Sequence, residues 1–123
     1  MAYILVVDDD PDILGMAREA LRDAGHCPVL APNVFRALEV LDHQEPDLVL
    51  TALEFPDLDG YGLNRAIRRY HPALPVIALV SSTKVPNHPR HPHNPRSEFD
   101  AVIRKPLELT EFNDTVKAVL DQS

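Results

Sequence analysis

Three groups of residues in this chain could do chemistry. Asp8, Asp9 and Asp10 stand in a row after the apolar run YILVV (3–7), and Lys105 follows a second apolar run, AVIR (101–104). His88, His91 and His93 punctuate a stretch rich in proline. Two adjacent carboxylates repel each other unless a cation or an ammonium lies close. Asp8 and Asp9 therefore point to a divalent cation or to a lysine, and Lys105, beyond the end of another apolar run, is the obvious partner. Asp10 has a simpler role, because Asp followed by Pro11 reads as the cap and first position of a helix. The histidines suggest a transition metal. Yet no Cys, Asp or Glu lies between Thr83 and Ser97, and Arg90 and Arg96 repel a cation. Such sites need three or four convergent ligands, so the histidines read as exposed polar spacers.

The elements that must hold these groups alternate. YILVV is continuous in apolar residues, as expected of a strand covered on both faces. Ile13, Leu14, Ala17, Ala20, Leu21 and Ala24 form a helical stripe closed by Gly25. CPVLA (27–31) reads as a second strand whose proline suits only a sheet edge. Asn33 caps a second helix with the apolar face Phe35, Ala37, Leu38 and Leu41. DLVLTA (47–52) is a third strand, YGLNRAIRRY (61–70) a third helix, PVIALV (75–80) a fourth strand and AVIR a fifth. Leu109, Phe112, Val116 and Val119 line a closing helix. Strands separated by helical patterns predict a doubly wound parallel α/β sheet with right-handed crossovers. In such a sheet ligands bind beyond the carboxyl ends of the strands, where the acids lie. The step from Lys105 to Pro106 suggests a turn in which a cis bond is accessible.

The fourth crossover breaks this rhythm. Between Val80 and Ala101 runs SSTKVPNHPRHPHNPRSEFD, with Pro86, Pro89, Pro92 and Pro95 spaced by three. That spacing forbids an α-helix and matches polyproline II, in which the prolines share one edge. Nine residues of that helix would span roughly 28 Å, enough to cross a sheet. A loose insertion is the competing reading.

With 123 residues the chain is long enough for one domain, 1–123, with the crossover at 81–99 inside it. Its net charge of −7 argues against non-specific binding to nucleic acid or to anionic membranes. The lone Cys27 excludes an internal disulfide and suits a reducing compartment. MAYILVV is too short for a signal-peptide core and is stopped by aspartates, and no run is long enough to span a bilayer. The expectation is a soluble cytoplasmic domain.

Four stretches, ILVVDDDPDI (4–13), PDLVL with FPDLDGYGL (46–63), PVIALV (75–80) and IRKPL (103–107), make the chain resemble the receiver domains of two-component response regulators, the CheY-like family. The resemblance implies a five-stranded sheet of order 2-1-3-4-5. It also implies that Asp8 and Asp9 form the acidic pocket that binds magnesium, with Glu54 lending its backbone carbonyl to the metal. Lys105 matches the signature lysine that contacts the phosphoryl group. Several positions depart from the pattern. Ala52 stands where the family carries its phosphoryl-accepting aspartate, and a methyl group cannot be phosphorylated. Val80 stands at the hydroxyl position that contacts the phosphoryl group, with Ser81 and Ser82 just after it, and Val102 stands at the aromatic switch position. The fourth helix is replaced by the proline-rich stretch.

The resulting expectation is a non-enzymatic receiver-like module in bacterial phosphorelay signalling that binds proteins without phosphorylation. It needs no cofactor, and magnesium binding at Asp8, Asp9 and Glu54 would be weak. Its partners would be a sensor kinase, an output protein or another signalling protein, with a homodimer also compatible, and neither nucleic acid nor membrane. Lys84, Pro86, Pro89, Arg90, Pro92, Pro95 and Arg96 are the expected partner-binding residues, since an extended proline-rich edge has little freedom to lose on docking. A working receiver silenced by substitution at position 52 is the alternative. A flavodoxin-like nucleotide-binding enzyme is disfavoured, because the first strand leads into acids where phosphate needs glycines or hydroxyls.

Overall fold

The computed structural model describes residues 1–53, 60–81 and 99–122. In chain order these form β1 (Tyr3–Val7), α1 (Pro11–Asp23), β2 (Cys27–Ala31), α2 (Val34–His43), β3 (Leu48–Ala52), α3 (Gly60–Tyr70), β4 (Val76–Ser81), β5 (Ala101–Lys105) and α4 (Leu109–Gln122). The strands make one parallel sheet of order β2-β1-β3-β4-β5. The proline-bearing β2 is thus an edge, as its sequence requires.

Side chains alternate across a strand, and the sheet divides its apolar residues accordingly. Leu5, Val7, Val49, Val76, Ala78 and Val80 pack on one face with Val34, Ala37, Val40 and Leu41 of α2 and Leu63 and Ile67 of α3. Ile4, Val6, Leu48, Leu50, Ile77, Leu79 and Ile103 pack on the other with Ile13, Ala17, Ala20 and Leu21 of α1 and Phe112, Val116 and Val119 of α4. Because both faces are covered, the central strands read as unbroken apolar runs. Each fully buried aliphatic side chain contributes roughly 1.5–3 kcal/mol.

Three apolar stripes differ from expectation. On α1, Ala24 is exposed, because it caps the helix one residue beyond its last turn. On α2 the buried residues are Val34, Ala37, Val40 and Leu41, whereas Phe35 and Leu38 are exposed. The stripe begins one residue earlier than the largest side chain suggests, at Val34, directly after the cap Asn33, whose Oδ1 accepts from the Arg36 N–H. On α4, Leu109 is exposed. It is the first residue of the helix and sits outside the stripe that Phe112, Val116 and Val119 form.

Helix ends follow local chemistry. Asp10 Oδ1 accepts from the Asp12 N–H at the start of α1. At its other end the N–H of Gly25 donates to the Arg22 carbonyl and that of His26 to the Leu21 carbonyl. This closure needs a left-handed residue, and Gly25 supplies it with φ of 87°.

The chain leaves β4 after Ser81 and is described again at Phe99, which is buried in the core shared by α2 and α3. Asp100 then fastens the returning chain to the start of β4. Its N–H donates to the Val76 carbonyl, and its Oδ2 accepts from the Val76 N–H (2.7 Å) and from Arg68 Nη2 (3.0 Å). Arg68 Nη1 also donates to the Leu74 carbonyl. The proline-spaced stretch, with Lys84, Pro86, Pro89, Arg90, Pro92, Pro95 and Arg96, lies outside the described residues, as does Glu54. Among the described residues no helix is long and apolar enough to cross a membrane.

Candidate functional site

Asp8 follows β1 directly and prolongs its pairing, since its N–H donates to the Ala31 carbonyl of β2. Counting from Val6, its side chain falls on the α1 and α4 side of the sheet. The residue is fully buried. Its Oδ1 accepts from the Asp10 N–H at 3.0 Å, and its Oδ2 lies 2.7 Å from Lys105 Nζ. The second contact is a close charge pair without hydrogen-bond alignment, so Oδ2 has no aligned donor. Asp9 and Asp10 are exposed, and Asp10 is engaged as the α1 cap.

Lys105 ends β5 and precedes a cis peptide bond to Pro106. β5 is separated from β1 by β3 and β4. The pair is therefore formed by side chains meeting across the carboxyl ends of both intervening strands. Ala52 ends β3, is buried, and lies in register with Leu79 of β4. Its methyl group leaves the ammonium no carboxylate on β3 to meet, and Asp8 is the one it reaches. Ser81 lies in register with Lys105, and alternation from Ile77 and Leu79 puts it on the same side as Asp8 and Lys105.

Val80 and Val102 do not join this group. Val80 is buried in the core shared with α2 and α3, and Val102 packs against that same cluster. The acidic pocket and the two valines thus occupy opposite faces of the sheet. Thr51, a polar residue inside an apolar strand, is also on the α2 and α3 face and is fully buried. Its Oγ1 donates to the Ala52 carbonyl at 2.8 Å, satisfying a hydroxyl inside an apolar strand. A single threonine within LVLTA is the only trace of it in the sequence.

These residues do not fit a magnesium ion. Such ions are held through one or two carboxylates with octahedral oxygens. Here one Asp8 oxygen is committed to a backbone N–H and the other to an ammonium, whose charge repels a cation. Ala52 offers no ligand. Among the described residues, no three His, Cys, Asp or Glu side chains gather closely enough to hold a metal.

Residues 4–117 match the Response regulator receiver domain family. The chain is 34% identical over 110 residues to an uncharacterised 14.6 kDa protein from the sodA1 3′ region of Leptolyngbya boryana, covering 88% of this chain and 82% of that protein. It is 29% identical over 122 residues to the transcriptional regulatory protein GlrR of Escherichia coli, covering 99% of this chain but only 27% of GlrR. In structure it resembles NtrX from Brucella abortus, with a TM-score of 0.88 and 28% identity over 98% of this chain and 27% of that one. A receiver domain protein from Clostridium thermocellum shares the fold, with a TM-score of 0.85 and 22% identity over 99% and 96% of the two chains.

Proposed function

We propose, from the premise that this chain belongs to the response regulator receiver family, that it is a phosphorylation-independent protein-interaction module of two-component signalling. Receiver domains act between kinases and output domains, and this reading keeps that position while removing the acceptor chemistry. The observation that carries it is Ala52. A methyl group ends β3, buried beside a pocket in which lysine and aspartate already neutralise each other. An acyl phosphate needs a carboxylate nucleophile, and the position implied by the family has none. The role is thus that of a binding surface rather than an enzyme.

Incubation with an acyl-phosphate donor and magnesium, followed by intact-mass measurement, tests it. The chain is expected to stay unmodified, and a phosphoryl adduct would overturn the reading. Ala52→Asp in parallel addresses the alternative of a working receiver silenced at one position, because labelling of that variant alone would favour it.

The partner-binding role falls to the stretch containing Lys84, Pro86, Pro89, Arg90, Pro92, Pro95 and Arg96. Its positive charges on a chain of net charge −7 favour an acidic protein partner and make association salt-sensitive. Replacement of residues 85–96 by a Gly/Ser linker of equal length should abolish recovery of the partners that the native sequence captures.

A further inference from the structure

We infer that Lys105 is the resident cation of the acidic pocket, and that the pocket accepts a divalent metal only when this ammonium is removed. The inference rests on the proposed reading of the same pocket, but the two fail separately, since one concerns phosphoryl transfer and the other metal binding.

A carboxylate removed from water needs a countercharge and partners for its oxygens. Asp8 is fully buried, and the two demands are met by different groups. The Asp10 N–H serves Oδ1, and the Lys105 ammonium, 2.7 Å from Oδ2, supplies the charge. Lys105 is itself three-quarters covered, with 23% of its side chain exposed, so water screens the pair weakly.

A divalent ion at Oδ2 would occupy the ammonium's position or lie within repulsive range of it. Displaced, Lys105 would have to leave for solvent. The ion would gain Asp8 and the exposed Asp9, but no ligand from Ala52. The tethered ammonium therefore wins: its charge closes the site, and the missing carboxylate at Ala52 weakens the competing ion.

If Lys105 supplies the missing charge, then its loss leaves Asp8 buried and uncompensated, and a free metal becomes the favoured replacement. Removing a cationic residue should then create metal dependence, which a lysine with no part in charge balance would not do.

Thermal unfolding of the wild-type chain, Lys105→Met and the double variant Asp8→Asn/Lys105→Met tests this with and without millimolar magnesium or manganese. The wild-type midpoint should be insensitive to either metal beyond the small shift that matched ionic strength produces. Lys105→Met should melt lower and recover part of the loss with metal, because a ligand that binds only the folded state raises the midpoint. The double variant, lacking the carboxylate, should show no recovery. A metal-induced rise in the wild type equal to that of Lys105→Met would overturn the inference, as would a folded Lys105→Met indifferent to metal. If Lys105→Met does not fold without metal, its folding upon manganese addition supports the inference, and failure to fold under both conditions overturns it. Loss of the free-manganese EPR signal on adding wild-type protein, absent with Asp8→Asn, would also overturn it and needs no destabilised variant.

Discussion

Arg68 of α3 and Asp100, the residue before β5, meet at 3.0 Å, and each is also bound to the chain entering β4. Arg68 donates to the Leu74 carbonyl, and Asp100 accepts from the Val76 N–H. The point where the chain returns to the sheet is thus fixed by polar contacts to two neighbouring elements, with Phe99 adding an apolar anchor.

Asp100→Ala should cost about 1–3 kcal/mol, mainly because the buried Val76 N–H loses its acceptor. The ion pair itself is about one-third exposed on each side and contributes little. Asp100→Asn keeps an acceptor oxygen and should lose less than half as much. Urea unfolding of the two variants separates these contributions, and equal losses would show that the charge, not the acceptor, matters.

The phase of α2 predicts a contrast between neighbours. Leu41→Ala should destabilise by about 2–5 kcal/mol, since it opens a cavity beneath the helix. Phe35→Ala removes a larger side chain that is 60% exposed, and should change stability by about 0.5 kcal/mol or less. Denaturant midpoints of the two proteins should reverse the order expected from side-chain size.

Two glycines on and after α1 should respond in opposite directions. A Cβ added at Gly15 meets nothing within 4 Å, so Gly15→Ala should stabilise the helix by about 0.5–1 kcal/mol. Gly25 also has open space around it but holds φ at 87°. Gly25→Ala should cost about 1–2 kcal/mol for the left-handed backbone alone. Thermal midpoints of the two variants should bracket that of the wild type.

Asn33→Ala should cost about 1 kcal/mol, because the Arg36 N–H at the start of α2 loses its side-chain acceptor. Asn33→Asp retains an acceptor and should be close to neutral. Chemical denaturation measures both.

Much of this organisation is legible in the residues. Continuous apolar runs identify buried strands, and Asp10, Pro11, Gly25 and Asn33 mark helix ends through short-range chemistry. Pro28 correctly identifies an edge strand, and Lys105 lies against one of the two acids that its position suggests. The helical stripes are less secure. Phe35 and Leu38 are more hydrophobic than the small Ala37, but burial on α2 follows angular position rather than hydrophobicity. The choice of Asp8 over Asp9 depends on strand alternation, which turns adjacent side chains to different sides. Thr51 carries no long-range signal because its hydroxyl is satisfied by the next residue's carbonyl.

Pro28 bears on how molecules of this chain can associate. Cys27 donates its N–H to the Ala2 carbonyl, and the Ala31 carbonyl accepts from the Asp8 N–H, so the odd-numbered residues of β2 face β1. Pro28 and Leu30 therefore face outward, and Pro28 has no N–H to offer. Leu30 is left as the only outward amide donor along this five-residue strand. An incoming strand finds no ladder there. A fibre that grows by stacking sheets edge to edge needs a competent edge at each end. With the β2 edge interrupted, association through the sheet favours, among the described strands, the opposite edge at β5. Two copies joined in that way would consume it, giving a closed twofold pair instead of an open filament.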